Sequence, residues 1–301
     1  MKQIPDWNDL RIFLTVARLG TISSTGERLG IEHSTVSRRM DRLEANLGLV
    51  LFDRRRSGYM LTEAGQTLIS YAERMETALH EAVDNTTLSE ARVQGAVRVG
   101  TPEAFGICIL SKHLNELTTQ YPDLQVQLMA QPQFPSLVTR EVEILVTLEP
   151  PEVGRYIVAR LATIEYYLYC SRAYWEENGP IENVEDIKAH RFVDYIHDGS
   201  VSERYRVLEE IMPEASRCFT TTSVLAQRTA AVAGLGLVLL TPYVAEQADD
   251  LIGIFPDRPF VTRGLWIAAP EDLLKIRRVR IVWEHIRHLI VSNPHYFHRN
   301  A

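Results

Sequence analysis

The chain has 301 residues, 46% hydrophobic and 24% charged, which is typical of a soluble globular protein with two or three domains. No apolar run approaches the roughly 20 residues needed to span a bilayer, and the first ten residues lack the apolar core of an export signal. The net charge of −7 is unevenly divided. Residues 1–65 hold ten Lys/Arg and eight Asp/Glu, or +2, and the remainder holds 22 and 31, or −9.

Three cysteines, Cys108, Cys170 and Cys218, are far apart and odd in number. That usage predicts reduced thiols and a cytoplasmic protein. Isolated cysteines are usually buried as small hydrophobes. A redox-sensing Cys170/Cys218 pair stays open as the alternative.

The first predicted helix covers residues 8–18, with Asn8 as its cap. Its spacing of apolar residues is helical. The inward face is formed by Leu10, Phe13, Leu14 and Ala17. We expect this helix to pack behind the two that follow.

A helix-turn-helix is predicted next. A short helix fits Ile22–Leu29, Gly30 supplies the turn, and a second helix begins near His33 or Ser34. Its buried stripe is formed by Val36, Met40, Leu43 and Leu47. The opposite face carries Ser34, Thr35, Arg38 and Arg42, side-chain types that reach base edges and phosphates. Gly26 permits a close crossing of the helices. An ordinary helical hairpin has the same pattern, but these side chains favour entry into the DNA major groove.

A basic wing follows the second helix. Residues 51–52 and 59–61 are predicted as two short strands joined by a turn that contains Arg54, Arg55 and Arg56. Three arginines in such a turn are suited to phosphate contact. Thr62 then caps a new helix.

These segments resemble the N-terminal region of LysR-type transcriptional regulators. The resemblance runs through DLRIFLTVARLGTIS, ERLGIEHSTVSRRMDRLEANLGLVLFDRR and LTEAGQTLI. The chain departs from the common family pattern at Thr25-Gly26 and at Glu32-His33-Ser34. Together the residues and the resemblance imply these DNA-contacting positions: Ser23, Ser24, His33, Ser34, Thr35, Ser37, Arg38, Arg42, Arg54, Arg55 and Arg56.

A long helix is predicted from about Glu63 to Leu88. Its apolar positions repeat at heptad spacing, which indicates a partner helix. The seam is Leu68, Ala72, Met75, Leu79, Ala82 and Thr86. Packing against the same chain is the alternative. The family resemblance favours a homodimer through this helix, with a homotetramer through later domains, on an interrupted DNA palindrome.

After a predicted hinge at residues 91–95, strands and helices alternate, which predicts βαβ units with parallel sheets. Strands are predicted at AVRVG, LQVQLM, VEILVTL, IVARL, IEYYLYC, RCFTTT, LGLVLL and GLWIAA. Helices are predicted at residues 104–120, RAYWEENG, SVLAQRTAAVAG, PYVAEQ and 274–292.

This second part resembles the two-lobed, periplasmic-binding-protein-like effector domain of the LysR family, with Glu143 where the family usually has Asp. The resemblance implies crossings between lobes near Leu161–Thr163 and Leu265–Ala268. The predicted fold class is therefore multidomain: a helix-rich winged helix-turn-helix domain, a long linker helix and a two-lobed α/β effector domain. The predicted domains are 1–62, 63–91 and 92–301, with lobe I at about 92–162 and 267–295 and lobe II at about 163–266.

Open α/β sheets bind ligands where strands end and helices begin. Thr101, Thr222 and Thr241 are predicted to cap helices at such junctions, where uncapped N–H groups and the helix dipole favour anions. The predicted ligand is a small effector, and these junctions favour an organic acid. The candidate effector-binding residues are Thr101, Pro102, Glu103, Gln131, Gln133, Phe134, Thr147, Tyr195, His197, Thr222, Ser223 and Thr241.

The sequence shows no nucleotide-binding, metalloprotease, hydrolase or paired CxxC motif. His285 and His288, with His295 and His298 beyond, have spacing that could bind metal, but solvated positions on a terminal helix are the simpler interpretation. We therefore predict no enzyme, no cofactor and no metal. The predicted function is a sequence-specific DNA-binding regulator that senses a small molecule. The alternatives are a small-molecule binding protein and a redox-responsive regulator without a metabolite ligand.

Overall fold

The structure, a computed structural model, describes residues 5–55, 58–86, 93–132, 135–137, 140–152, 154–199 and 201–298. It divides into two compact units. The first, the N-terminal unit, comprises residues 1–91, 136–141 and 275–277, and the second, the C-terminal unit, comprises 92–135, 142–274 and 278–301. Within the described residues, no helix is both long and apolar enough to cross a membrane.

In its described residues, the N-terminal unit contains four helices and one hairpin. They are α1 (Trp7–Leu19), α2 (Ile22–Leu29), α3 (His33–Leu47), β1 (Phe52–Arg55), β2 (Gly58–Leu61) and α4 (Glu63–Thr86). The cap of α1 is Asp6, whose carboxylate accepts a hydrogen bond from the Asn8 N–H at 2.9 Å. The prediction of Asn8 as the cap was therefore wrong by two positions. Gly20 ends α1 with a φ of 71°.

The predicted helix-turn-helix is present at the predicted positions. Thr21 caps α2 by accepting from the Ser24 N–H at 3.2 Å, and Gly30 ends it at a φ of 66°. A Cβ on Gly26 would lie 2.7 Å from both the Ile31 carbonyl oxygen and the His33 ring. Only glycine therefore permits this close approach at the turn, as predicted.

The core of the N-terminal unit collects the apolar faces of α1 and α3. Its buried members are Leu10, Ile12, Phe13, Leu14, Val16, Val36, Met40, Leu43, Leu51, Phe52 and Ala72. This list includes three of the four side chains predicted to face inward on α1, and the fourth, Ala17, packs against the cluster. The helical spacing of three and four therefore predicted the buried faces of both helices.

The wing is a short antiparallel hairpin. Phe52 pairs with Leu61 and Arg55 with Gly58. Thr62 then caps α4 by accepting from the Gly65 N–H at 3.1 Å, as predicted. Residues 87–88, the predicted end of that helix, lie outside the described residues.

The C-terminal unit contains a seven-stranded mixed sheet and a separate two-stranded one. The large sheet runs β10-β6-β11-β5-β3-β4, with β9 also paired to β6, and the small one pairs β7 with β8. The strands are β3 (Gly95–Thr101), β4 (Leu124–Ala130), β5 (Ile144–Thr147), β6 (Tyr156–Ser171), β7 (Arg191–Tyr195), β8 (Ser216–Thr221), β9 (Val238–Leu240), β10 (Leu251–Ile254) and β11 (Val261–Pro270).

Among the strands of the described residues, β3 pairs parallel with β4 and with β5, and β7 pairs parallel with β8. The expectation of parallel sheets was thus only partly right, because the long strands β6 and β11 pair antiparallel with each other along ten residues of β11. β6 is one strand where the sequence predicted two. Both predicted lobe crossings fall within β6 and β11, where the register shifts between Leu265 and Trp266.

The helices flank these sheets. They are α5 (Ser111–Gln120), α6 (Arg172–Asn178), α7 (Val207–Ile211), α8 (Val224–Val232), α9 (Pro242–Ala245) and α10 (Arg277–Ser292). The single helix predicted over 104–120 contains a π-helical segment, Phe105–Leu110, before α5. Strands β7 and β10 and helix α7 were not predicted.

Candidate DNA-binding surface and effector cavity

Helix α3 exposes the first part of the face that the sequence predicted to read DNA. His33, Ser34 and Arg38 are exposed, and Thr35 and Ser37 are half-buried. Within the described part of the chain, Arg38 has no ion-pair partner. Glu32, at the N-cap position, makes no side-chain capping hydrogen bond. The first two turns of α3 therefore present hydroxyls, backbone N–H groups and the guanidinium of Arg38, all suited to base edges or phosphates.

Arg42 has a different environment from the one predicted. Its guanidinium donates to the Asp9 carboxylate through Nε at 2.8 Å and Nη2 at 2.6 Å, and Asp9 is fully buried. The hydrogen bond with Asp9 raises the pKa of Arg42. Arg39 donates to the same carboxylate at 3.2 Å. Arg42 therefore joins α3 to α1, which competes with its predicted contact to DNA.

The wing arginines also differ in whether they are paired within the protein. Arg54 donates to Asp41 and Glu44 of α3, the latter at 3.1 Å, and the hydrogen bond with Asp41 raises its pKa. Arg55 is exposed and lies 3.7 Å from Asp53, a distance that leaves it accessible to phosphate. Arg56 lies outside the described residues.

The two serines predicted on α2 are placed differently from each other. Ser23 is exposed. The Ser24 hydroxyl accepts from the Thr21 hydroxyl at 2.9 Å, so it belongs to the cap of α2.

The predicted seam on α4 is split between the core and the surface. Ala72 is 1% exposed and belongs to the core, against which Leu68 packs. Met75 and Leu79 are 50% and 49% exposed, and Tyr71 beside them is 57% exposed. These three side chains form an apolar stripe at intervals of four residues, here called the α4 stripe. The seam residue Ala82 is also exposed, and the side chain of Thr86 lies outside the described set.

A cavity of about 30 Å³ lies inside the C-terminal unit. It is lined mainly by apolar side chains from β-strand ends, loops and helices between positions 102 and 244. Four tyrosines join them: Tyr166, Tyr195, Tyr205 and Tyr243. The remaining polar lining is Glu103, Asp194, Gln227 and Thr241.

Glu103 joins the start of its own helical segment to the start of α8. Its carboxylate accepts from the Ser223 hydroxyl and from the Val224 N–H, each at 2.8 Å. Ser223 is the cap of α8, because its oxygen accepts from the Ala226 N–H at 3.2 Å. The prediction that Thr222 caps this helix was wrong. The positive end of α8 is already occupied by a carboxylate of the protein itself.

The other predicted threonine caps were also wrong in their hydroxyl roles. Thr101 is the last residue of β3, fully buried, and its hydroxyl has no hydrogen-bond partner among the described residues. Thr241 stands at the N-cap position of α9 without a side-chain capping bond. Thr147, at the end of β5, is buried, and its hydroxyl likewise has no hydrogen-bond partner in the described part of the chain.

The structure gathers only some of the predicted effector residues. Those that line the cavity are Pro102, Glu103, Tyr195 and Thr241, whereas Thr101, Gln131, Thr147, His197, Thr222 and Ser223 do not. His197 lies instead 3.3 Å from Asp194 and 3.5 Å from Glu209. Gln133 and Phe134 lie outside the described residues.

Three phenols that line the cavity were missed, namely those of Tyr166, Tyr205 and Tyr243. Burial raises the pKa of each of the four cavity tyrosines, to about 12 for Tyr166 and well above the usual value for Tyr195 and Tyr205. All four are therefore neutral at pH 7. The sequence offers no local pattern that identifies these three residues as cavity-lining. The chain contains 12 tyrosines, and their positions in the sequence do not distinguish the buried ones.

The cysteines are all free thiols. Burial raises the pKa of Cys108, and it raises that of Cys170 to about 11. Neither is therefore a ready thiolate at neutral pH. Cys218 is exposed, and its thiol donates to the carbonyls of Phe192 and Leu235 at 3.3 and 3.2 Å.

The terminal histidines are separately placed. His285 bonds to the His113 carbonyl at 3.1 Å, and burial lowers its pKa. His298 lies 3.3 Å from Glu165, and His288 lies 3.4 Å from the Ser292 hydroxyl. In the described part of the chain, no three His, Cys, Asp or Glu side chains cluster as metal ligands.

A winged helix-turn-helix unit followed along the chain by an α/β unit with an internal cavity indicates a class of protein, the DNA-binding transcriptional regulators. Comparison with known proteins agrees. Residues 7–66 match the model of bacterial regulatory helix-turn-helix proteins of the lysR family, and residues 90–290 match the LysR substrate binding domain. The chain belongs to the LysR family of transcriptional regulators, whose members bind DNA and small-molecule effectors and form oligomers.

Individual relatives are similar but distant. The regulator YfeR of Shigella flexneri is 30% identical over 166 residues, 54% of this chain and 54% of that protein, so the match spans about half of YfeR. A Haemophilus influenzae homolog of the glycine cleavage system transcriptional activator is 26% identical over 249 residues, 82% of this chain and 81% of that protein. A full-length OxyR variant from Pseudomonas aeruginosa superimposes with a TM-score of 0.66 at 17% identity, covering 94% of this chain and 98% of that one, and so shares its fold.

Proposed function

We propose that this regulator binds an interrupted palindrome as a homodimer, or as a homotetramer built from such dimers, in the cytoplasm. The N-terminal half of α3 would read bases through Ser34, Thr35 and Arg38. Arg55 of the wing would hold phosphate. The observation that carries this assignment is the exposure of Arg38 without an ion-pair partner in the described structure, beside hydroxyls on one face of a helix.

The α4 stripe supports the dimer. The three large apolar side chains of the stripe are each about half exposed, and burying them against a partner helix would be favourable. A second copy of the same helix would cover Met75 and Leu79, which belong to the heptad seam, with Tyr71 beside them. Two-fold symmetry would then present two recognition helices to two half-sites.

For the effector, we propose the cavity beside Glu103 as the binding site. An internal, mostly apolar cavity with a few converging polar groups is the usual form of a small-molecule site. The division into residues 1–62, 63–91 and 92–301, with lobes at about 92–162 plus 267–295 and 163–266, remains our proposal for how these roles are distributed. Effector binding would change operator affinity by coupling between the sites.

The test of this function is selection of operator fragments from genomic DNA by the full chain, followed by footprinting. We expect a protected region with two half-sites related by two-fold symmetry. Replacing Thr35 by Ala should change the preference among selected sequences more than the overall affinity. A chain that bound all fragments equally, with protection at a single half-site, would contradict the proposal.

A further inference from the structure

The cavity beside Glu103 is acidic. Among its described lining residues, the carboxyl groups are those of Glu103 and Asp194, and none is lysine, arginine or histidine. A site for an anionic ligand normally offers a cation or unoccupied N–H donors. This lining offers the opposite charge.

The two carboxylates are not equivalent. Asp194 is compensated by the protein itself, since Arg217 donates to it at 2.9 Å and His197 lies 3.3 Å away. Glu103 accepts only from the Ser223 hydroxyl and the Val224 N–H, and among the described residues no cation pairs with it. Glu103 is therefore the cavity-lining carboxylate that is held by hydrogen bonds and, among the described residues, not by an ion pair.

The same contacts disfavour an acidic ligand. An effector carboxylate would be attracted to the N-terminus of α8, but Glu103 already occupies it. A second anion would either displace a tethered carboxylate or lie beside it in a poorly hydrated cavity, where like charges repel strongly.

The tyrosines provide the complementary surface. The rings of Tyr195 and Tyr205 lie 5.6 Å apart between centroids, and Tyr166 and Tyr243 line the same cavity. The face of a phenol ring attracts cations, most strongly where water is excluded. Gln227, 2% exposed, contributes an amide nitrogen that has no hydrogen-bond partner among the described residues and could meet a ligand acceptor.

We propose that the effector is a small organic cation, with an ammonium or guanidinium group facing Glu103 and the tyrosine rings. This inference rests on the proposed effector function of the cavity and replaces the organic acid expected from the sequence. A cavity of about 30 Å³ holds little more than a water molecule, so the ligand must widen it. Because Glu103 also holds α8, a cation that engages this carboxylate acts on the contact that positions that helix.

Three four-carbon probes test the charge preference: butylammonium, 1-butanol and butyrate, with head groups of charge +1, 0 and −1. Calorimetry on the full chain should show butylammonium binding at least about tenfold more tightly than 1-butanol, with butyrate weakest. Glu103→Gln removes the charge and keeps an oxygen for the Val224 N–H. In that variant, the ratio of butylammonium affinity to 1-butanol affinity should fall about tenfold. Glu177→Gln, which removes an exposed carboxylate from α6, is the matched control and should keep it.

Two results would overturn the inference. The first is that the parent protein does not bind butylammonium, or binds butyrate as tightly. This result does not depend on the folding of any variant. The other is an ammonium preference that survives in Glu103→Gln. Operator footprints separate this inference from the proposed function. Butyrate-selective binding that changes the footprint would reject the cation and keep the effector role, whereas ammonium binding without any change in the footprint would reject the effector role.

Discussion

The proposed recognition helix α3 and the proposed effector cavity are assembled from the chain in opposite ways. The candidate base-reading residues of α3 lie within six consecutive positions, His33–Arg38, on one helix. The cavity draws its lining from positions 102 to 244 and joins Glu103 to residues 120 and 121 positions away. Local periodicity therefore specifies which residues α3 exposes, whereas the chemistry of the cavity depends on contacts that periodicity does not encode.

The largest expected effect on operator binding comes from the α4 stripe, whose pattern depends only on residues near one another in the chain. Replacing Leu79 by Asp would place a charge in the proposed dimer seam, and operator affinity should fall by about 100-fold or more because two linked half-site contacts become independent. Sedimentation of the variant should show monomers. Ser70→Asp, nine residues earlier and on the opposite face of α4, is the control and should remain dimeric. An unchanged oligomer for Leu79→Asp would exclude this seam.

Arg38 and Arg42 test whether pairing inside the protein decides which arginine reaches DNA. Arg38→Ala should weaken operator binding roughly tenfold or more without lowering the melting temperature. Arg42→Ala should lower the melting temperature, because it leaves the buried Asp9 with fewer donors, and should change the operator Kd of the folded protein little. Fluorescence anisotropy and thermal melts measure both. If both variants lost the same operator affinity, the guanidinium of Arg42 would have to release Asp9 and contact DNA in the complex.

The wing offers the same comparison at smaller scale. Arg55→Ala should reduce the slope of log Kobs against log salt by about one, as expected for one lost phosphate contact. Arg54→Ala should reduce it less, because Asp41 and Glu44 already neutralise that guanidinium. Salt titrations of operator binding decide between them. A larger change in the salt slope for Arg54→Ala than for Arg55→Ala would show that Arg54, not Arg55, holds the phosphate.

The smallest expected effects come from two threonines with opposite roles. Thr21→Val removes the hydroxyl that caps α2 and should cost about 1 kcal/mol of stability. Thr101→Val removes a buried hydroxyl without a hydrogen-bond partner among the described residues and should raise stability by about 1 kcal/mol. Because Thr101 does not line the cavity, effector affinity should stay the same. Calorimetric melts that moved in the same direction for both variants would contradict this contrast.

Much of the fold was predictable because its signals are local. The Thr62 cap, the glycines of the helix-turn-helix, the wing and most strands of the C-terminal unit follow from residues near one another in the chain. The mixed sheet was not predictable in the same way. β6 and β11 pair over a separation of about 100 residues, and nothing within IVARLATIEYYLYC distinguishes one long strand from two.

The candidate sites show the same limit. Arg42 looked like a DNA contact because it shares a helical face with Arg38, yet Asp9, 33 residues earlier, takes up its guanidinium. Threonines before helices looked like caps, yet Ser223 and Glu103 serve α8 instead. In both cases a charged side chain pairs with a residue that is distant in the sequence. The residue types alone do not predict that pairing.

The tyrosines around the cavity also make the C-terminal unit sensitive to alkali. A phenol that is buried neutral retains its proton to higher pH than it would in the unfolded chain, where it ionises near pH 10. Its contribution to stability is complete below that pH and is lost as the pH rises through its pKa in the folded protein, which burial raises to about 12 for Tyr166 and well above the usual value for Tyr195 and Tyr205. In an alkaline titration, exposed tyrosines would develop phenolate absorbance first. The later, cooperative rise would mark the opening of the cavity, which gives the protein a built-in optical signal for this region.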